Sequence, residues 1–376
     1  MARAAIAPRP GISERTLEIK KMAIYDRHIL VRLPNWVGDV VMATPTLRCL
    51  RLNFPKARID VTLLPYVRDV IKGAPWIDEI IEIPRRRDGA TVGAMREYVN
   101  RLRRNQYDLA LVLPNSVSSA VLAYLSGAKQ RIGYDRQGRG FLLTDPVPPP
   151  RVKGKFVPQP MVDYYLKLCE ATGAVVGSTT TEMFVDAESE RRVEELFSTY
   201  RIGQKGGIVA LAPGAAFGSS KLWDPKKFGR LADLLAERKN CDVLIVGGPN
   251  ERPIAREIVA ASRIKPVNLV EENLNLNLLK SIVKRCDLFV TVDSGPRHFA
   301  VAFDKPVVVL VGAIDPAYTN CNLQKTLIVK AENVDCAPCQ KKRCPTDHRC
   351  MTEISSEMVF DAASRLLESY PRTATT

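Results

Sequence analysis

Gly207-Ile208-Val209-Ala210-Leu211-Ala212-Pro213-Gly214-Ala215-Ala216-Phe217-Gly218-Ser219-Ser220-Lys221-Leu222-Trp223-Asp224-Pro225 contains the features that decide the fold. Six apolar residues in a row, Ile208 and Val209 β-branched, predict a strand buried on both faces, as in a parallel sheet. A loop with two glycines, two hydroxyls and a lysine follows, and Pro225 sits where a helix should begin. The same rhythm recurs downstream. Asp242–Val246 reads as a strand closed by Gly247-Gly248-Pro249, Leu288–Val292 as a strand ending at Asp293, and Pro306–Val311 as another. Helices are expected over 225–238, 252–261, 276–286 and 355–369, with one starting at 297. Strands alternating with helices mean a parallel sheet covered on both faces.

Upstream the rhythm is similar. Strands are expected at 28–33, 58–64, 77–83 and 108–113. Helices are expected over 39–54, with Pro45 in a first helical turn, and over 94–104, 116–125, 162–172 and 188–200. Asp145–Pro160 holds six prolines and reads as an irregular connection. The fold class is therefore α/β, with two Rossmann-like doubly wound domains in tandem. The expected division is a loose arm at 1–27, a first domain at 28–190 and a second at 191–376.

The chain has 376 residues, enough for two cores, with 46% hydrophobic and 26% charged residues, as in globular proteins. No apolar run approaches the roughly 18 residues that a membrane helix needs. The first 27 residues lack the apolar core of a secretory signal. The net charge is +14 and is uneven. Residues 1–160 hold 27 Lys/Arg against 14 Asp/Glu, whereas residues 161–376 hold 28 against 27. A first half that meets something acidic, such as nucleic acid, anionic lipid or a phosphorylated substrate, fits this asymmetry, and so does a merely solvated basic surface. No RNA-recognition, zinc-finger or recognition-helix pattern accompanies the charge, so nucleic acid is not an expected partner.

Doubly wound sheets bind ligands at the carboxyl ends of their strands, so the loops there carry the chemistry. Pro34-Asn35-Trp36-Val37-Gly38-Asp39 follows the first strand. Asp39 fits two roles, a helix cap or a carboxylate facing a ligand. The 212–225 loop offers what a phosphate needs, namely backbone N–H groups, the Ser219 and Ser220 hydroxyls and the Lys221 cation, although it lacks the Gly-Lys-Ser/Thr of a Walker loop. Asp293-Ser294-Gly295-Pro296-Arg297-His298 repeats the arrangement on a second strand. No Asp-x-Asp occurs, so the charge of a diphosphate would fall to Lys221 and backbone donors. Cys336, Cys339, Cys344 and Cys350, with His348 among them, are soft ligands close in sequence. A structural zinc and a reduced thiol cluster are both open readings, and without an export signal a disulfide framework is not expected.

These motifs together resemble the bacterial lipopolysaccharide core heptosyltransferases of the heptosyltransferase II type. The resemblance is carried by Arg32–Asp39 with Thr44-Pro45, by Ala212–Ala215 with Phe217-Gly218 and Lys221-x-Trp223, by Val292–His298, and by the Cys-Ala-Pro-Cys…Cys-Pro…His-x-Cys-Met tail. It implies a GT-B fold whose first domain takes the acceptor and whose second takes the nucleotide sugar. It implies an inverting, metal-independent transfer without a cofactor. The donor would be ADP-heptose and the acceptor an acidic lipid A–Kdo–heptose core, met at the cytoplasmic face of the inner membrane. By position, Asp39 beside Gly38 would be the general base. Lys221, with Ser219, Ser220 and Gly214, would meet the diphosphate. Asp293, Ser294, Gly295, Pro296 and His298 would hold the donor, and Glu251 would reach its ribose. The same motifs would suit a GT-B enzyme with another sugar or acceptor.

Overall fold

The computed structural model describes residues 27–85 and 88–372, so the expected arm lies outside the described residues apart from Arg27. Two six-stranded sheets are present. The first contains β1 (His28–Arg32), β2 (Arg58–Leu63), β3 (Glu79–Glu82), β4 (Leu109–Val112), β5 (Gln130–Tyr134) and β6 (Asp145–Val147). A short hairpin follows, formed by β7 (Arg151–Val152) and β8 (Lys155–Phe156). The second sheet contains β9 (Gly207–Ala212), β10 (Cys241–Ile245), β11 (Val267–Asn268), β12 (Leu288–Val292), β13 (Val307–Leu310) and β14 (Thr326–Val329).

Strand order is β3-β2-β1-β4-β5-β6 in the first sheet and β11-β10-β9-β12-β13-β14 in the second. Every pairing within the two sheets is parallel. Both are therefore Rossmann-like and doubly wound, and each reverses its winding beside its first strand, between β1 and β4 and between β9 and β12. A crevice opens at such a switch point, outside the carboxyl ends of the strands. The loops after β1, β9 and β12 lie there.

The apolar runs are buried because both sheet faces are covered. In β9, Val209 and Leu211 enter the outer core of the second domain with Trp223 and Phe228. Ile208, Ala210 and Ala212 point the other way, into a cluster continuous with the core of the first domain. Trp223 is fully buried, donates its indole N–H to the Ile354 carbonyl at 3.0 Å and meets Phe228 edge-on. It thereby ties the end of the 213–224 loop to the C-terminal segment.

Two expectations need correction. The helix expected over 39–54 is two helices, Val37–Met42 and Thr44–Asn53, that break at Ala43, with Pro45 in the first turn of the second. Asp145–Pro160 is not merely irregular: it supplies edge strand β6 and the hairpin, because a proline is tolerated at a sheet edge. The expected boundary at 190/191 falls within the helix Ala187–Thr199. That helix is tied to Leu276–Arg285 of the second domain by Arg285 with Glu190 at 3.1 Å.

Candidate active site

A cleft of about 730 Å³ lies between the carboxyl edges of the two sheets. One wall holds Trp36, Val37, Gly38, Asp39, Met42, Tyr66 and Arg85 from the first domain. The other holds Gly214–Phe217, Lys221, Gly247, Gly248, Glu251 and the Asp293–Pro296 loop with His298. The helix Val37–Met42 packs against the helix Arg297–Ala302 at the cleft floor. A Cβ on Gly38 would lie 2.7 Å from the ring of His298, and one on Gly295 would lie 3.1 Å from Val37. Two glycines thus let the walls touch where the chemistry lies.

Asp39 is not a helix cap. The helix starts at Val37, Asp39 is its third residue, and no side chain caps it. Its half-buried carboxyl faces the cleft instead. Burial raises its pKa to about 6, with the Lys221 cation pulling the other way. Such a carboxylate is ionised at neutral pH yet basic enough to take a proton.

Lys221 is held by Asp293. Its ammonium donates to the Asp293 carbonyl and lies 3.3 Å from the Asp293 carboxylate, over the ring of Phe217. The other carboxylate oxygen of Asp293 takes a hydrogen bond at 2.9 Å from Arg297, the first residue of the helix that follows the loop. Arg297 is fully buried and also donates to Thr319 at 3.0 Å and Asn320 at 3.3 Å. Burial works to raise the Asp293 carboxyl, but the Lys221 and Arg297 cations outweigh it and hold it below the usual carboxylate range. Asp293 is therefore an anionic strut between two cations. Burial, then Arg297, depresses His298 to about 3, so its imidazole is neutral, and its Nδ1 has no partner among the described residues.

Glu251 lies against Gly214, where a Cβ would come within 2.3 Å of its side chain. It accepts the Gly248 N–H at 2.7 Å, and burial raises its pKa. It joins the loops after β9 and β10 at the cleft.

Ser219 and Ser220 do not line the cleft, contrary to expectation. Ser220 is buried, its hydroxyl donates to the Lys341 carbonyl at 2.5 Å, and its N–H donates to the Lys342 carbonyl at 3.1 Å. Gly218 allows this, since a Cβ there would lie 2.2 Å from the Lys342 carbonyl oxygen. Ser220 faces the cysteine-bearing segment, which braces the Lys221 loop from behind, and Ser219 is exposed. There Cys336, Cys339, Cys344, His348 and Cys350 line a separate cavity of about 210 Å³. All four thiols are free, and His348 Nε2 is engaged at 2.8 Å with the Ser220 carbonyl. Among the described residues no group of three or more His, Cys, Asp or Glu is placed to hold a metal ion, so the zinc reading finds no ligand set.

Sequence reasoning passed over Arg297, Thr319, Asn320, Tyr66 and Arg85. The Asp293 and Arg297 pair, opposite charges at the two ends of a strand-to-helix turn, was the available signal for the first; the others come from distant loops.

The model of glycosyltransferase family 9 (heptosyltransferase) matches residues 95–349. The chain belongs to glycosyltransferase family 9. It is a glycosyltransferase with the GT-B architecture of that family. The lipooligosaccharide heptosyltransferase 2 of Haemophilus influenzae is 28% identical over 354 residues, covering 90% of this chain and 99% of the relative. The lipopolysaccharide heptosyltransferase 2 of Salmonella typhimurium is 28% identical over 312 residues, 80% of this chain and 87% of the relative. Among solved structures, the ADP-heptose lipopolysaccharide heptosyltransferase II of Escherichia coli superposes with a TM-score of 0.74 at 25% identity, covering 91% of this family 9 chain and 99% of that one.

Proposed function

We propose that the protein transfers L-glycero-D-manno-heptose, with inversion, from ADP-heptose to the heptose/Kdo inner core of lipopolysaccharide. The observation that carries this reading is the pairing of Asp39, from one domain, with the Lys221–Asp293–Arg297 group of the other across a single cleft. The named activities of the relatives supply the sugar and the acceptor class.

In this mechanism the donor diphosphate lies against Lys221 and the loops that contain Gly214 and Gly295. Glu251 meets the ribose, and neutral His298 offers its unpartnered Nδ1 to the donor. The acceptor hydroxyl enters from the side of Trp36, Tyr66 and Arg85. Asp39 removes its proton as the oxygen attacks the anomeric carbon. The bond from that carbon to the β-phosphate oxygen breaks on the opposite face, and ADP leaves with the electron pair. Lys221 stabilises the charge that develops there, a task fixed in advance by Asp293, so little reorganisation is needed. A lysine in this position supplies the cation that a metal-dependent enzyme takes from its ion, and the reaction is expected to run without one.

The acceptor is anchored in lipid, so the protein works at the cytoplasmic face of the inner membrane as a peripheral protein. The basic first half supports this contact. No helix among the described residues is long and apolar enough to cross a membrane.

Transfer assayed with ADP-heptose and a panel of truncated core acceptors, with and without EDTA, tests the reading. Heptose should pass to a Kdo- or heptose-terminated acceptor at the same rate in both conditions. Immediate loss of activity in EDTA with recovery on adding magnesium would refute the metal-free mechanism. Transfer from another nucleotide sugar alone would refute the donor.

A further inference from the structure

Beyond β6 the first domain extends a hairpin into solvent. Arg151-Val152-Lys153-Gly154-Lys155-Phe156 pairs Arg151 with Phe156 and Val152 with Lys155 in an antiparallel ladder of two residues per strand. Lys153 and Gly154 form the turn at positive φ, as two-residue hairpin turns require. Every residue from Arg151 to Pro158 is exposed. Val152 is 63% exposed and Phe156 42%, and Phe141, in the loop between β5 and β6, is 82% exposed. So short a ladder, covered by nothing, is marginal in water.

The charges within the hairpin have one sign. Arg151, Lys153 and Lys155 lie in the hairpin, which contains no acidic residue. The Arg136 and Arg151 guanidinium groups lie 3.9 and 4.5 Å from the centre of the Phe156 ring. Aromatic and aliphatic side chains set among cations suit an anionic bilayer, where the rings enter the boundary between headgroups and acyl chains and the cations meet lipid phosphates. The position is suitable too. All six strands run parallel, so the hairpin leaves the sheet at the carboxyl edge of β6, the edge on which the Asp39 loop lies.

We propose that the 151–157 hairpin, with Arg136 beside it, docks the protein on an anionic lipid bilayer. The inference rests on the reading that the acceptor is lipid-anchored, and it adds the element that makes the contact.

The test is co-sedimentation of the full chain with vesicles of phosphatidylcholine alone or mixed with phosphatidylglycerol. Two double variants, Lys153→Glu/Lys155→Glu and Val152→Ser/Phe156→Ser, are compared with the parent protein. Transfer to a water-soluble truncated acceptor is measured alongside. The parent should bind only the phosphatidylglycerol vesicles. The charge-reversed variant should bind at least about tenfold more weakly, at roughly one kcal/mol for each lysine near such a surface. The serine variant should lose retention at raised salt, and both should keep full transfer to the soluble acceptor. Parent-like binding by both variants would overturn the hairpin's role while leaving the transferase reading intact. No binding by the parent, or a preference for single-stranded RNA over the vesicles, would overturn it as well. Absence of transfer to any soluble acceptor by the parent is the separate result that would count against the enzymatic reading.

Discussion

A cap and a base make opposite demands on Asp39. A cap is ionised, hydrogen-bonded and lowered in pKa, whereas Asp39 has no capping bond and is raised to about 6 by burial. Because its folded pKa lies above the unfolded one, the stability linked to this group is complete at low pH. That stability is lost as pH rises through about 6. Replacing Asp39 with Asn should therefore not lower the melting temperature at pH 7, where loss of a helix cap would cost about 1 kcal/mol. The kcat/KM of the parent should climb with pH through about 6 to a plateau as the carboxylate forms, provided chemistry limits the rate. Asp293 has the opposite sign: its depressed pKa adds stability above the unfolded value, and that stability is lost as pH falls. Asp293→Ala leaves Lys221 and the fully buried Arg297 without their shared anion. It should cost about 3–5 kcal/mol in chemical denaturation, the usual effect of breaking a buried ion pair.

At the scale of elements, the sequence revealed strands and the loops at their ends. A run such as Gly207–Ala212, short and closed by a Pro-Gly turn, suits a strand buried on both faces, and its bounds are those expected. Gly38, Asp39, Lys221 and the Asp293–His298 loop were found because switch-point loops are where such sheets bind. Which way a loop residue faces was not legible. Ser220 turns away from the cleft because its partners, Lys341 and Lys342, are more than 120 residues further along the chain. The strut role of Asp293 likewise depends on Lys221, 72 residues earlier. The brace behind the Lys221 loop is testable. Ser220→Ala removes the bond to the Lys341 carbonyl and should cost about 1 kcal/mol, with faster proteolysis in the 331–348 segment and weaker ADP binding. Unchanged proteolysis and ADP affinity would mean the brace is not needed. Gly38→Ala should cut the rate of heptose transfer sharply, because the added methyl meets His298 where the walls touch.

Across the whole molecule, the excess charge and the cleft divide the work. Residues 1–160 carry almost all of the net charge, and the second domain supplies most of the short-range polar contacts. Binding of an acidic, lipid-linked acceptor should therefore weaken steeply with salt, and ADP affinity much less. Equal salt dependence of acceptor KM and ADP Kd would contradict that division. The central claim is that the two walls form one active site in which Asp39 takes the proton. It is tested most directly by following heptose incorporation from ADP-heptose into a truncated core acceptor with the parent protein and with Asp39→Asn. Turnover should drop by about 10²–10⁴-fold, the usual contribution of a general base, while ADP affinity and the melting temperature hold. Near-normal turnover of Asp39→Asn would contradict it.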